Sequence, residues 1–341
     1  MSWYITSQQT SGFTNTYGNS KMAFDANTGN YVFCVEYRVV SPFDPLELFS
    51  SASGPTGLLA PGQYGLLNIH VDGSGNILNV CSVVTSSSPV RLGDIALDEN
   101  TGMVYVTGHR TGAVSNAFVL SYMPGTCAGG TGISAGFANN SWGRGIDVEA
   151  SEVFVVGDYE NTVTWGSFTG TALATASQDI YVVKFDPALN PMALTVAEAQ
   201  FYGEGYDVAI LPGSSEIYVS GSVELDATAW NVGNFGASFP GALHGFIQVF
   251  DPVTLASTCN FVRVPATNNN EFFKIVDIEK NVSPVTGNTG VLTIGGNMNH
   301  GGPMYDFYTG CALSSSTPLT APVQEAGFVL RVDGVWIPQG N

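Results

Sequence analysis

Hydrophobic and polar positions alternate along this chain in short runs that predict β-strands rather than helices. The stretch SQDIYVVKFDPALN at 177–190 reads as a strand followed by an Asp-Pro turn. Nearly the same phrase returns as HGFIQVFDPVTL at 244–255 and as AGFVLRVDG at 326–334. A strand and turn that recur in this way indicate an internal repeat.

A second phrase precedes each of these strands and predicts a hairpin. It reads RLGDIALDENTGMVYVTG at 91–108, GRGIDVEASEVFVVG at 143–157 and GYDVAILPGSSEIYVSG at 205–221, with a stretched copy at 273–296 and a divergent copy at 20–37. A further apolar run follows, as in ILNVCSV at 77–83 and STCNFVRV at 257–264. Each unit therefore predicts four antiparallel strands, which we label a to d from the inside outward.

The repeat predicts an all-β fold, a β-propeller of about five four-stranded blades. One such unit cannot bury both of its faces, whereas units arranged radially cover one another. The predicted blades are 20–83, 91–140, 143–202, 204–264 and 271–338, within a single domain spanning 1–341. Residues 2–8 are predicted to supply the outer strand of the last blade and so to close the ring. Six blades and a linear β-solenoid are the alternatives.

The repeat also resembles a known family. A GxDIAxDxxGxVYVTG phrase followed by DIYVVKFD is similar to the bacterial seven-bladed β-propeller repeat family, as are the Phe-Gly rhythms of TVTWGSFTGTALATASQDIYVVKFD at 162–186 and WNVGNFGASFPGALHGFIQVFD at 230–251. The resemblance covers about four-fifths of the chain, but with five blades rather than seven. It implies an extracellular, envelope-associated or adhesin-like protein, and it does not imply catalysis.

The net charge of the chain limits the classes of partner that we expect. Its 341 residues include 28 acidic and 10 basic ones, for a net charge of −18. Such a surface repels phosphate backbones and anionic membranes, so we expect no nucleic-acid partner. No apolar run is long enough to span a membrane, so no membrane insertion is expected. Residues 1–20 have neither the basic start nor the apolar run of a signal peptide.

The five cysteines predict packing rather than a zinc site. None form CxxC pairs, and Cys34 sits in the apolar strand YVFCVEY as a small buried hydrophobe. Cys81, Cys127 and Cys259 take similar places near the start of an outer strand. This regularity favours packing over disulfide bonding, which stays open.

Repeated carboxylates predict structural roles. Strand a carries Asp94, Asp147, Asp207 and Asp277 in what the sequence aligns as equivalent places. A ring of carboxylates that binds a cation is one interpretation; the favoured one is that each accepts N–H groups of its turn or of the neighbouring blade. Hairpin roles are predicted for the aspartates that close strand c, namely Asp72, Asp186, Asp251 and Asp333. The loops DANTGN at 25–30 and DENTG at 98–102 lack a calcium pattern, so no metal site is predicted.

Candidate binding residues lie in loops and at strand ends. His109 and Arg110 follow a strand b, and His300, Tyr305 and Phe307 belong to the Gly-rich loop NMNHGGPMYDFY. Trp165 and Trp230 lie in the connections between strands b and c, where aromatic rings either bind sugars and proteins or fold back onto the blades. No cofactor motif occurs, and no cofactor is predicted.

We therefore expect a non-enzymatic structural or recognition module. It binds protein or glycan through loops on one face, assembles with itself in one version of this hypothesis, and acts extracellularly or on a cell or virion surface. The alternative is a carbohydrate-active enzyme with carboxylates at the central channel, drawn from Glu36, Asp158, Glu160 and Glu224, which follow b strands.

Overall fold

The chain folds into antiparallel sheets joined by turns. This computed structural model describes residues 5–8, 16–38, 46–50, 54–59, 64–127, 130–136, 138–172, 178–197, 199, 201–210, 216–224, 230, 243–264, 273–281, 291–298, 305–309, 312–317 and 326–333. Throughout these ranges the secondary structure is strand, turn or bend, and no helix in them is long and apolar enough to cross a membrane.

The first blade uses four of the first seven strands. These strands are β1 (Ile5–Gln8), β2 (Thr16–Asp25), β3 (Asn30–Arg38), β4 (Leu46–Ser50), β5 (Gly54–Leu59), β6 (Tyr64–Val71) and β7 (Ile77–Ser86). β2, β3, β6 and β7 lie side by side in that order, and β1, β4 and β5 form a separate small sheet.

The second and third blades follow the same grammar. Their strands are β8 (Val90–Asp98), β9 (Met103–Arg110), β10 (Asn116–Tyr122), β11 (Gly132–Ser134), β12 (Ser141–Glu149), β13 (Glu152–Tyr159), β14 (Thr162–Trp165), β15 (Phe168–Thr171), β16 (Asp179–Phe185) and β17 (Pro191–Ala197). β8 to β11 form blade two, and β12, β13, β16 and β17 form blade three. β14 and β15 are a hairpin in the connection between strands b and c.

The fourth and fifth blades share an insertion. Their strands are β18 (Tyr202–Ile210), β19 (Ile217–Glu224), β20 (Leu243–Phe250), β21 (Ser257–Val264), β22 (Phe273–Asn281), β23 (Val291–Met298), β24 (Tyr305–Thr309), β25 (Ala312–Thr317) and β26 (Ala326–Asp333). β18 to β21 form blade four, and β22, β23 and β26 form blade five. β24 and β25 arise within blade five but pair onto β21, which gives blade four two extra outer strands.

The innermost strands surround one channel, which identifies the fold as a β-propeller. A cavity of about 640 Å³ is lined by residues of β2, β8, β12, β18 and β22, the strand a of each blade in the described chain. Strands b and c of blades three and four bury almost every side chain, because neighbouring blades cover both of their faces. The predicted all-β propeller of five blades is confirmed, and a linear array would have no such shared channel.

The position of the N-terminal strand differs from the prediction. Ile5–Gln8 pairs with β4, from Ile5 opposite Ser50 to Gln8 opposite Glu47, and not with β26. The proposed closing strand for the last blade was therefore wrong for residues 5–8, and residues 2–4 lie outside the described chain. β4 lies far nearer in sequence than β26, so pairing with it closes a much shorter loop at a lower entropy cost.

Carboxylates of strand a join neighbouring blades. Oδ2 of Asp147 accepts the backbone N–H of Ile210 at 2.8 Å, and Oδ2 of Asp207 accepts that of Ile278 at 2.9 Å. Asp94 accepts the N–H of Ile146 at 3.4 Å and forms an ion pair with Lys21 at 3.2 Å. The predicted structural role is thus confirmed for the three aspartates, while the side chain of Asp277 lies outside the described chain.

The register of blade three corrects the predicted equivalence. In blades two and four, Asp94 and Asp207 pair with the residue that precedes the glycine of strand b. In blade three the residue paired at this position is Gly145, and Asp147 lies two residues further along β12. A Cβ on Gly145 would come within 2.6 Å of the Cα of Asp207, so blade four fills the space that a side chain there would need. The sequence alignment missed this shift because strand a is apolar on both sides of it.

One flank of the first blade is uncovered. Met22 and Phe24 of β2 are 53% and 47% exposed, whereas Val208 and Ile210, in the matching places of β18, are 3% and 2% exposed. The preceding blade covers these places in blades two to four. Blade one therefore has a packed neighbour on its β8 side and exposed apolar side chains on the other.

A disulfide links blades one and two. Cys81 of β7 is bonded to Cys127, which follows β10, with their Cα atoms 6.3 Å apart. The preference for packing was therefore wrong for this pair. Cys34 is buried and free, as predicted. The side chains of Cys259 and Cys311 lie outside the described chain.

Breaking this disulfide is expected to destabilise the fold. The bond closes a segment of 46 residues, so the double variant Cys81→Ser/Cys127→Ser should lose about 2–4 kcal/mol of unfolding free energy. Denaturant titration measures the loss, and Cys34→Ala controls for removal of a thiol. Peptide mapping without reductant should recover the two cysteines in one linked fragment; two separate unlinked peptides would contradict the bond.

Candidate functional site

The arginines whose side chains the structure describes are concentrated at one end of the propeller. Because inner strands bond to one another at matching places, they all run in the same direction along the channel. We call the end where strands a begin and strands b end the upper face. Several arginines lie there, at the ends of β3 and β9 and near the starts of β8 and β12: Arg38, Arg110, Arg91 and Arg144. Because the chain has only 10 basic residues and a net charge of −18, this concentration of arginines indicates a candidate binding site.

The opposite end, the lower face, is acidic because its turns use aspartates. Oδ2 of Asp72 accepts from Asn76 at 2.7 Å, and Oδ2 of Asp186 accepts from Asn190 at 2.8 Å. These hydrogen bonds lower the pKa of both carboxyls, and bonds from Thr254 lower the pKa of Asp251 in the same way. The predicted hairpin role is confirmed for these three aspartates, and that of Asp333 stays a prediction. An anionic ligand is repelled by the lower face.

A pocket of about 350 Å³ opens at the upper face between blades one and two. We call it the interblade pocket; its lining includes Gly18, Glu36, Arg38, Tyr64, Pro89 and Arg91. Glu36 is buried and accepts the backbone N–H of Leu92 at 2.6 Å and Nη1 of Arg91 at 3.3 Å. The Arg38 guanidinium lies 5.3 Å from the centre of the Tyr64 ring. The pocket thus combines two guanidinium groups with one buried carboxylate.

A second polar cluster lies at the upper face of blades three and four. Nε and Nη2 of Arg144 donate to the two oxygens of Asp158 at 2.7 and 3.2 Å. Gln178 also donates to Asp158, and the Tyr206 hydroxyl donates to Glu204. Asp158 is fully buried, so its carboxylate holds Arg144 in place and does not face solvent.

Burial sets the protonation of Asp158. It raises the pKa of this carboxyl from near 3.8 to about 7; Glu204 also raises the pKa, while Arg144 and Gln178 lower it. Because the folded pKa is the higher one, the folded protein holds a proton that the unfolded chain releases between about pH 4 and pH 7. The contribution of Asp158 to stability therefore falls as the pH rises through this window.

Asp158→Asn is expected to remove that part of the pH dependence. Melting temperatures of the wild type and the variant, measured from pH 4.5 to pH 7.5, isolate Asp158 because all other titrating groups are shared. The wild type should lose stability relative to the variant as the pH rises. Two parallel curves would contradict the raised pKa.

Of the predicted binding residues, His109 and Arg110 lie at the upper face. His109 pairs across the sheet with Arg91, and its ring meets that of Trp142 edge-on at 6.4 Å. Burial, followed by the charges of Arg144 and Arg91, lowers the pKa of His109 to about 4, so the ring is neutral at pH 7. Arg110 is exposed, with its guanidinium 6.0 Å from the centre of the Phe118 ring.

The two tryptophans are buried, which matches the alternative that the aromatic rings of these connections pack onto the blades. Trp165 and Trp230 are 0% and 1% exposed, so neither ring has a face open to a ligand. Trp165 packs edge-on against Phe185 at 5.3 Å, and Trp230 packs against Phe250 at 4.9 Å. Nε1 of Trp230 also donates to Thr195 of blade three at 3.2 Å. The two indoles fill space between neighbouring blades.

The Gly-rich loop lies only partly within the described residues. His300 lies outside the described residues. Tyr305 and Phe307 belong to β24, where Phe307 stands opposite Val262 of β21, and their side chains also lie outside the described part. Tyr305–Thr309 form a strand against blade four, where the sequence predicted a loop.

The carboxylates proposed for an enzyme are not gathered into a free pair. Glu36 and Asp158 hold arginines, and Glu160 accepts from Nδ2 of Asn140 at 2.7 Å. Glu224 ends β19 and is half-buried. Within the described ranges, no three His, Cys, Asp or Glu side chains are grouped so that they would hold a metal ion.

Comparison with known proteins yields only distant structural similarity. No family model and no curated protein matches the chain, so the resemblance to the seven-bladed repeat family stays a prediction. A mutant of the Synechocystis apocarotenoid oxygenase aligns at 10% identity and a TM-score of 0.42, covering 91% of this chain and 64% of that one. The Clostridium thermocellum exo-β-1,3-galactanase 1,3Gal43A aligns at 12% and 0.40, covering 82% and 54%.

The phage phi92 endosialidase aligns at 10% identity and a TM-score of 0.39, covering 84% of this chain and 47% of that one. The chain thus spans between about half and two thirds of the length of these three structures. Similarity this loose transfers no activity, and only the chain's own residues support a functional proposal.

Sequence reasoning missed Arg38, Arg91, Arg144 and Tyr64. Each of them holds a different place within its repeat, so alignment of the repeats does not superpose them. Their shared feature is the end of the strand at which they lie. Plotting the few basic residues against strand ends would have found this face.

Proposed function

We propose that this protein is a non-enzymatic recognition module that binds an acidic glycan at its upper face. The observation that carries the proposal is the concentration of arginines on that face of a strongly acidic chain. The upper face also carries carboxylates, but Glu36 and Asp158 are each paired with an arginine. The exposed Arg38 and Arg110 therefore remain to attract an anionic polymer, which the acidic lower face repels. The small concave interblade pocket suits the single units of a polymer better than a flat protein surface.

We further propose that the module acts outside the cell or on a cell or virion surface. The Cys81–Cys127 disulfide supports this location, because disulfides persist mainly in oxidising compartments. Its role there is adhesion or structural attachment, and self-assembly remains a prediction.

An array of acidic and neutral oligosaccharides tests the proposal. The wild type should bind acidic glycans, bind neutral ones much more weakly, and lose affinity as salt is added, because screening weakens contacts between exposed charges. The bound glycan should be recovered intact by chromatography. Equal binding of neutral and acidic glycans, or no binding at low salt, would overturn the proposal.

A carbohydrate-active enzyme is the second candidate. Its support is the buried Asp158 carboxyl, whose pKa of about 7 is that of a general acid and which lies near Glu204. Against it, Asp158 is fully buried and bonded to Arg144 and Gln178. Release of reducing ends from the bound glycan, abolished in Asp158→Asn, would favour this candidate over the first.

A further inference from the structure

Two arginines of the upper face are paired with buried carboxylates, and they differ in how many of their guanidinium nitrogens remain free for a ligand. Arg144 uses two nitrogens on Asp158, and its side chain is 33% exposed. Arg91 makes a single contact with Glu36 at 3.3 Å, and its side chain is 54% exposed. Glu36 also accepts the Leu92 N–H, so its charge is shared between two donors. The remaining nitrogens of Arg91 are therefore available at the rim of the interblade pocket.

Arg38 faces the same pocket from the first blade. It is exposed at the end of β3, its guanidinium rests on the Tyr64 ring, and it has no carboxylate within ion-pair distance among the residues that the structure describes. Attraction to the face of an aromatic ring holds a guanidinium near the ring while leaving its N–H groups free. The pocket thus holds a second guanidinium donor in addition to Arg91.

The interior of the pocket is shaped by Glu36 and Gly18. A Cβ on Gly18 would overlap the carboxylate of Glu36, so the glycine makes room for this buried group. Glu36 is acceptor-only when ionised and can receive a hydroxyl donor. Two planar donor forks with one buried acceptor between them match a ring that bears a carboxylate next to hydroxyl groups.

We propose that the interblade pocket binds the carboxylate-bearing sugar unit of the acidic glycan. This assignment rests on the proposed function and places its recognition at one point of the upper face. The guanidiniums of Arg38 and Arg91 take the carboxylate, and Glu36 accepts from a ring hydroxyl. The volume of about 350 Å³ admits one sugar unit, and the open rim lets the polymer continue across the face.

Titration calorimetry with a galacturonate oligomer, in the full chain, tests the pocket. Arg38→Ala and Arg91→Lys should each weaken binding at least about tenfold, because the first removes one fork and the second keeps the charge but loses the planar geometry. Lys21→Ala is the control: it removes a half-exposed basic side chain that lines the channel and lies outside both the interblade pocket and the arginines of the upper face. It should change the affinity by less than about twofold. Arg38 makes no ion pair in the described chain, so the Arg38→Ala result stands even if Arg91→Lys fails to fold.

The outcomes separate the pocket from the broader proposal. If the wild type binds acidic glycans and all three variants weaken binding equally, or none does, the pocket assignment is overturned while the proposed function stands. If the wild type binds no acidic glycan, both fail. A sulfated oligomer of equal charge density should bind more weakly than the carboxylated one; equal affinity with equal losses would overturn the carboxylate assignment.

Discussion

Trp165→Ala is expected to lower the free energy of unfolding by about 3–5 kcal/mol. The indole is fully buried, packs against Phe185 and Tyr181 of its own blade, and belongs to the same core as Ala117 and Ala135 of blade two. Its removal leaves a cavity where two blades meet, and neither rigid sheet can move in to fill it. Guanidinium titration followed by far-UV circular dichroism measures the loss.

Phe201→Ala is the control for this variant. Phe201 is 44% exposed, so truncating it removes an aromatic ring without opening a closed cavity. Its cost should stay below about 1 kcal/mol. Similar losses in the two variants would mean that Trp165 does not fill a core position.

Asp207→Ala is expected to cost about 2–4 kcal/mol, because it removes the carboxylate that joins blade four to blade five. Oδ1 accepts the N–H of Val208 at 2.8 Å, and Oδ2 accepts that of Ile278 at 2.9 Å. Both residues are buried, so the substitution leaves two buried backbone donors without their carboxylate acceptor. The same titration measures the change.

Glu99→Gln is the control that distinguishes the loss of a hydrogen bond from the loss of a negative charge. Glu99 is exposed and lines the same channel as Asp207, so the variant removes one negative charge from the cavity but no bond between blades. It should be neutral or slightly stabilising. A loss as large as that of Asp207→Ala would mean that the effect comes from the change in charge in the channel and not from the lost hydrogen bond between blades four and five.

The architecture was readable from the sequence because every blade repeats the same local rules. An apolar strand, a Gly- or Asn-containing turn and a second apolar strand specify a hairpin without reference to the rest of the chain. Asp72, Asp186 and Asp251 were interpreted correctly for the same reason: the hydrogen bonds that they accept come from their own turns.

Features that depend on contact between blades were not readable. The bond between Cys81 and Cys127 forms because the turn after β10 reaches the outer strand of blade one, and no local pattern encodes that approach. The pairing of β24 with β21 likewise joins segments of different repeats. The interblade pocket follows this rule as well, because Arg38 and Arg91 become neighbours only when two blades pack.

The exposed apolar side chains of blade one predict the order in which the blades unfold. Blade three is held on both sides, by Asp94 of blade two and through the bond of its own Asp147 to blade four, whereas Met22 and Phe24 leave one side of blade one in water. A blade that exposes apolar side chains on one side gains less from packing than a blade buried on both sides, so it opens earlier. Backbone amides of β2 should therefore exchange with solvent deuterium before those of β12, and on heating blade one should unfold before blade three.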